Sequence, residues 1–246
     1  MAEKGEKISQ NYIIPKIDAV TNEFTATFID IAPSVSDIEK FKDKFQQAIS
    51  DGLYEYVSNE YDFDVKTNGL ITLSPPPPGA TVTVTNYAVE GNIIVFKSDI
   101  LSKYFKNNIS SETTGAVKNM TDFFNCIFLW LPKVANVTGP VTDITINPIQ
   151  YLSTVTGVGT IIFPNFISSQ LARNCVQETS AMVFVDKEGN LTGKTYKDVW
   201  GIIGKYIYQG LDGNIIATVD VGTANTSQIP NGLAYAGVSN GTAKYK

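Results

Sequence analysis

Apolar positions along this chain switch between two spacings. From Ile38 through Phe41, Phe45, Ile49 and Leu53 to Tyr56 and Val57 they fall three or four apart, the repeat of one helix face. Ser36 and Glu39 supply a capping box ahead of that run, so a helix is predicted over about residues 37–58. Its lysines Lys40, Lys42 and Lys44 alternate with Glu39 and Asp43, which reads as a solvated face and not as a nucleic-acid patch. Before it, Phe24–Ile31 has β-branched and aromatic character closed by Pro33 and predicts a strand. After it, Tyr61–Val65, Leu70–Ser74, Thr81–Val89 and Ile93–Lys97 have strand character. Asn68-Gly69 and Glu90-Gly91-Asn92 supply turn signals between neighbours, and together these segments predict an antiparallel β-meander. Ser98 is expected to cap a short helix to about Asn107.

Beyond the polar stretch Asn108–Gly115 the pattern continues with a buried helix at Asp122–Leu131 and strands at Val141–Ile146 and Val158–Phe163. A helix is predicted at Ser168–Glu178, and a strand at Met182–Asp186 running into the turn Lys187–Asn190. Thr195 starts a helix whose apolar side holds Val199, Trp200, Ile203, Ile207 and Leu211, and Asn214–Asp220 is the last predicted strand. From Gly222 the chain turns Gly-, Asn-, Ser- and Thr-rich. Helices scattered among antiparallel-looking strands predict an α+β fold of mixed, largely antiparallel sheets with several amphipathic helices. The expected organisation is an α+β region over 1–110, a second over 111–221 or a continuation of the first, and a C-terminal arm over 222–246.

Composition changes the functional picture by subtraction. The 246 residues hold no histidine, and Arg173 is the single arginine against 18 lysines. Histidine is the commonest acid-base group near neutral pH and the commonest metal ligand, and arginine the preferred bidentate reader of phosphates and bases. Neither a metal nor a cofactor is therefore expected. The lysine, asparagine, isoleucine and tyrosine bias suggests an AT-rich genome. A net charge of −5 gives no general attraction to nucleic acid or anionic lipid, and no sequence-specific nucleic-acid binding is expected. The polar start MAEKGEKISQN lacks an apolar segment behind its lysines, so no secretory signal is expected. Phe123–Leu131 and Tyr151–Phe163 are shorter than the roughly 18 continuous apolar residues of a membrane span, so none is expected. Cys126 and Cys175 lack metal or redox spacing and read as two buried free thiols, with a structural disulfide as the alternative.

Candidate motifs fail one by one. Gly237-Val238-Ser239-Asn240-Gly241 matches a nucleophile elbow but has no histidine base, and only five residues follow it. Gly189-Asn190-Leu191-Thr192-Gly193-Lys194-Thr195 resembles a P-loop with three residues where the phosphate cradle has four, and it also reads as a tight turn. Asp62 and Asp64 share one face of a strand and could hold a divalent cation, although with Lys66 they read more simply as its solvent side. Asp186, Glu188 and Asn190 resemble the start of an EF-hand without its glycine and distal glutamate in register. Pro75–Gly79 imposes polyproline II and reads as a stiff loop between strands, suited to contact with a neighbouring subunit, with an SH3 or WW ligand as the alternative.

Three functions remain. The favoured one is a virion structural or assembly protein, a bacteriophage-like capsid accessory, neck or tail component. It would be non-enzymatic, would form homo-oligomers or join other structural proteins, and would be located in the virion, with the cytoplasm as the alternative. Its expected mechanism is burial of apolar and β-edge surface between copies, with the C-terminal arm crossing onto neighbours. The second is a carbohydrate- or surface-binding module using the twelve tyrosines and two tryptophans, although Trp130 and Trp200 stand in core-like surroundings. The third is a glycosidase or glycosyltransferase built on Asp62, Asp64 or Glu60, chemistry that needs no histidine. No catalytic, cofactor-binding or metal residue is assigned.

Overall fold

A computed structural model describes the backbone of residues 2–30, 33–67, 72–74, 82–84, 87–93, 96–109, 115–132, 134–146, 149–211, 213–223 and 234–245. Side chains are described for 5–25, 33–60, 96–109, 115–132 and 160–211. The chain divides into two compact units, each assembled from three separated stretches. One comprises Met1–Glu60, Val95–Leu131 and Asn165–Leu211, the other Tyr61–Ile94, Pro132–Pro164 and Asp212–Lys246. A boundary near residue 110 is not among these divisions.

The first unit is helical. Helix α1 (Ala2–Lys7) runs through a π-helical segment, Ile8–Ile13, into α2 (Ile14–Asp30). The wide turn, closed by Ile14 N–H donating to the Ser9 carbonyl, lies directly before Pro15. Proline has no N–H to give and its ring crowds the carbonyl four residues back, so we attribute the change of winding to it. Next comes α3 (Val35–Glu60), then α4 (Ser98–Asn108), α5 (Ala116–Trp130), α6 (Ser168–Ser180) and α7 (Tyr196–Gly210). The π segment packs on both α3 and α7. Glycines set those distances: a Cβ on Gly52 of α3 would stand 2.6 Å from the Tyr12 carbonyl oxygen, and one on Gly204 of α7 would stand 2.5 Å from that of Gly5. The core joins Leu101 and Phe105, Phe124, Ile127 and Trp130, Leu171 and Cys175, and Ile207, all buried. Trp130 Nε1 donates to the Phe96 carbonyl at 3.0 Å, so its polar atom is satisfied inside the core.

The second unit consists of strands β1 (Tyr61–Thr67), β2 (Thr72–Ser74), β3 (Val82–Val84), β4 (Tyr87–Ile93), β5 (Val134–Ile146), β6 (Ile149–Ile162), β7 (Gly213–Thr223) and β8 (Ala234–Tyr245). Its antiparallel pairings run β1-β4-β5-β6-β7-β8, and Tyr61–Asp64 of β1 pairs with Thr242–Tyr245 of β8, which closes the circuit. β2 adds to β8 and β3 to β5.

These observations correct the sequence reading. The mixed α+β fold, with helices interspersed among antiparallel sheets, is overturned. Among residues whose side chains are described, 76% are helical and 4% are strand, and no sheet forms there. The apolar stripes of the helices are buried against other helices, and the period-two stretches pair with one another in a unit of their own. Phe24–Asp30 is helical, not a strand, because Ile13, Ile17, Val20 and Phe24 continue a helical stripe and an established helix propagates at little cost; Ile31 lies outside the described residues. Among the described residues no meander forms, since β1, β2 and β3 do not pair with their sequence neighbours and Glu90-Gly91-Asn92 lies inside β4, while Asn68-Gly69 lies outside the described residues. The capping box of α3 is Ser34 with Asp37: Ser34 Oγ accepts from Asp37 N–H at 3.2 Å and the carboxylate accepts from Ser34 N–H at 3.1 Å. Met182–Asp186 forms no strand beyond the isolated bridge Val185–Leu191. Ala234–Tyr245, expected in an arm, is a strand that pairs with β7 over 234–243 and with β1 over 242–245. Among the described residues no helix is long and apolar enough to cross a membrane.

Candidate functional site

The feature least explained by folding is the connection between α6 and α7. Asp186 organises it: Oδ1 accepts from the backbone N–H of Glu188 at 3.0 Å and of Asn190 at 2.7 Å, and Oδ2 accepts from Asn190 Nδ2 at 3.1 Å. Those donors, the Asn190 N–H foremost, hold the Asp186 carboxyl below its ordinary range. Gly189 takes the left-handed backbone the turn requires, with φ of 86°. Asp186 N–H donates to the Asn190 carbonyl at 2.9 Å and Thr192 N–H to that of Phe184 at 3.0 Å, so both limbs of the loop are tied. This braced loop leaves apolar side chains in solvent: Val183 is 57% exposed, Phe184 40%, Val185 50% and Leu191 85%.

At its end the loop passes into α7 through a capping box. Thr195 Oγ accepts from Lys197 N–H at 3.2 Å, and the Asp198 carboxylate accepts from Thr195 N–H at 2.7 Å, the bond that chiefly lowers the Asp198 pKa. The P-loop look-alike therefore fails on geometry as well as spacing. Donors at the start of α7 that would receive a phosphate serve the chain's own Thr195, and a carboxylate already sits there.

Beside the loop lies a cleft of about 890 Å³, walled by it together with α1, the π segment, α6 and α7. Its charged lining is Glu6, Glu178, Lys194, Lys197, Asp198 and Lys205. Lys205 Nζ and Tyr206 Oη donate to Glu178 at 2.7 and 2.8 Å, which holds Glu178 below its ordinary range, Lys205 contributing most. Burial, then the same bond, pushes the Tyr206 hydroxyl up to about 12. Lys197 reaches Asp18 at 3.1 Å, whereas Lys194 stands 3.6 Å from Asp198. Glu6 has no ion pair or hydrogen bond among the described residues.

The residues singled out from sequence are not brought together here. Glu60 ends α3 and accepts from Lys7 Nζ at 2.7 Å and Tyr12 Oη at 2.6 Å, a clamp between two helices. Asp62 and Asp64 lie in β1, opposite Lys244 and Thr242 of β8 in register, and their side chains are outside those described. Gly237–Gly241 lies within strand β8 and so has no strand-to-helix elbow. The proline run falls outside the described residues. Trp130 and Trp200 are core residues. Cys126 and Cys175 are free and buried, and burial pushes their thiols up to about 11 and about 12, far from the thiolate form. Among the described residues no group of three or more His, Cys, Asp or Glu could hold a metal ion. Sequence reading missed the exposed apolar loop because Val183-Phe184-Val185 has the composition of a buried strand. Its signal was the position of those residues immediately before a polar turn.

Comparison with protein-family models, curated proteins and solved structures finds no match to this chain.

Proposed function

We propose that this protein is an assembly component, acting through contacts between subunits and not by catalysis, and that its place is in a virion as a capsid accessory, neck or tail part. The observation that carries the assembly reading is the braced loop Ala181–Thr195 with Val183, Phe184, Val185 and Leu191 in solvent. Neighbouring exposed apolar groups cost free energy in water unless covered, and a loop already fixed in shape loses little entropy when it docks. The virion placement rests on the AT-biased composition and the absence of histidine. Contact through a C-terminal arm is not carried forward, since Ala234–Tyr245 is paired within its own unit.

The test is sedimentation velocity over a wide concentration range, with and without the parent particle, on the full chain and on a variant with Val183, Phe184, Val185 and Leu191 all replaced by serine. The full chain is expected to self-associate or bind the particle, and the variant to keep its circular dichroism but lose association. A full chain that stays monomeric at every concentration and ignores the particle overturns the reading.

A further inference from the structure

We infer that the α6–α7 loop docks on a second copy of this chain, its tip entering the partner's cleft while the partner's tip enters its own. This rests on the assembly reading and supplies its partner and contact. The tip presents Lys187 and Glu188, both exposed, and neither side chain has an ion pair or hydrogen bond among the described residues. The cleft presents the complementary signs: Glu6, equally unpaired, and Lys194, engaged only at 3.6 Å by Asp198. Lys187 meeting Glu6 and Glu188 meeting Lys194 would satisfy three charges that one copy leaves unpaired and add a second partner to Lys194. Around them, Phe184 and Leu191 at the tip would pack on the half-buried Met182 and Ile202 that line the cleft.

The symmetry follows from the placement of the two surfaces. Because the loop is itself a wall of the cleft, tip and cleft lie side by side. A two-fold axis therefore makes both contacts at once, residue i meeting j and j meeting i. Charges at such a contact set specificity and approach rate, while the apolar residues supply most of the affinity.

The experiment is a concentration series by sedimentation velocity on the full chain, Glu6→Lys, Lys187→Glu, an equimolar mixture of the two, and Leu191→Asp. All substituted side chains are exposed, and unchanged circular dichroism would confirm folding. Each single charge reversal is expected to weaken self-association roughly tenfold, and Leu191→Asp by at least about as much. The mixture is expected to recover wild-type association, because each variant's altered surface then faces its opposite sign. Wild-type association untouched by either reversal, or a mixture that does not recover, overturns this contact and leaves the assembly reading standing. A wild-type chain that never associates with itself, yet binds the parent particle, overturns the self-contact alone. One that does neither overturns both.

Discussion

Glycine at position 204 decides how closely α1 can approach α7, and that dependence is testable at one residue. A Cβ there would press on Ser9 Oγ and the Gly5 carbonyl, so Gly204→Ala is expected to lower stability by about 1–3 kcal/mol. Gly201, three residues earlier in the same helix, has open space, and Gly201→Ala is expected to raise stability by about 0.5–1 kcal/mol. Chemical denaturation of both variants checks the pair. Acid sensitivity belongs to this scale too. Asp186, Asp198 and Glu178 are all held below their ordinary values of 3.8, 3.8 and 4.5. Unfolding therefore takes up protons in that range. Their contribution is present above the ordinary values and is lost as pH falls through the lowered ones. The melting temperature is expected to drop as pH falls below about 4.5, and Asp186→Asn to flatten that drop. None of these glycine or carboxylate roles was visible in sequence, because spacing says nothing about which atoms stand across from a residue.

At the scale of elements, local chemistry was legible where both ends of a segment carried their own signals. The last helix follows Thr195 as expected, and the structure adds Asp198 as the other half of its capping box. Thr195→Ala is expected to cost about 1 kcal/mol of stability, measured by denaturant titration. The helices around residues 37–58, 98–107 and 168–178 were legible from their apolar spacing and extend to Val35–Glu60, Ser98–Asn108 and Ser168–Ser180, but Ser98 is the first residue of its helix and not its cap, which falls on Lys97. Errors arose where a local preference met a stronger neighbour. Phe24–Asp30 has strand-like residues but continues a helix already formed, and Ser36 yielded the cap of α3 to Ser34, which stands directly after Pro33. Met182–Asp186 has strand residues but, apart from the Val185–Leu191 bridge, no ladder to join. That failure is what leaves the candidate interaction loop exposed.

For the whole molecule, the helical unit is built from three stretches far apart in sequence, and its interior can be probed through its two thiols. Cys126 on α5 and Cys175 on α6 are completely buried with raised pKa values. At pH 8 both are expected to resist a thiol reagent in the native protein and to react together, two equivalents per chain, only as the unit unfolds. Fast labelling of either in native buffer would contradict the packing described. The sequence by itself determined the elements whose apolar period is local, the lack of histidine, and the burial expected of Trp130, Trp200 and the cysteines. Only the tertiary structure decided that helices and strands segregate into separate units, that β8 completes a circuit of pairing, and that Val183, Phe184, Val185 and Leu191 stay in water. The reason is physical: periodicity records which side of an element is apolar, whereas what covers that side is set by contacts between residues remote in the chain.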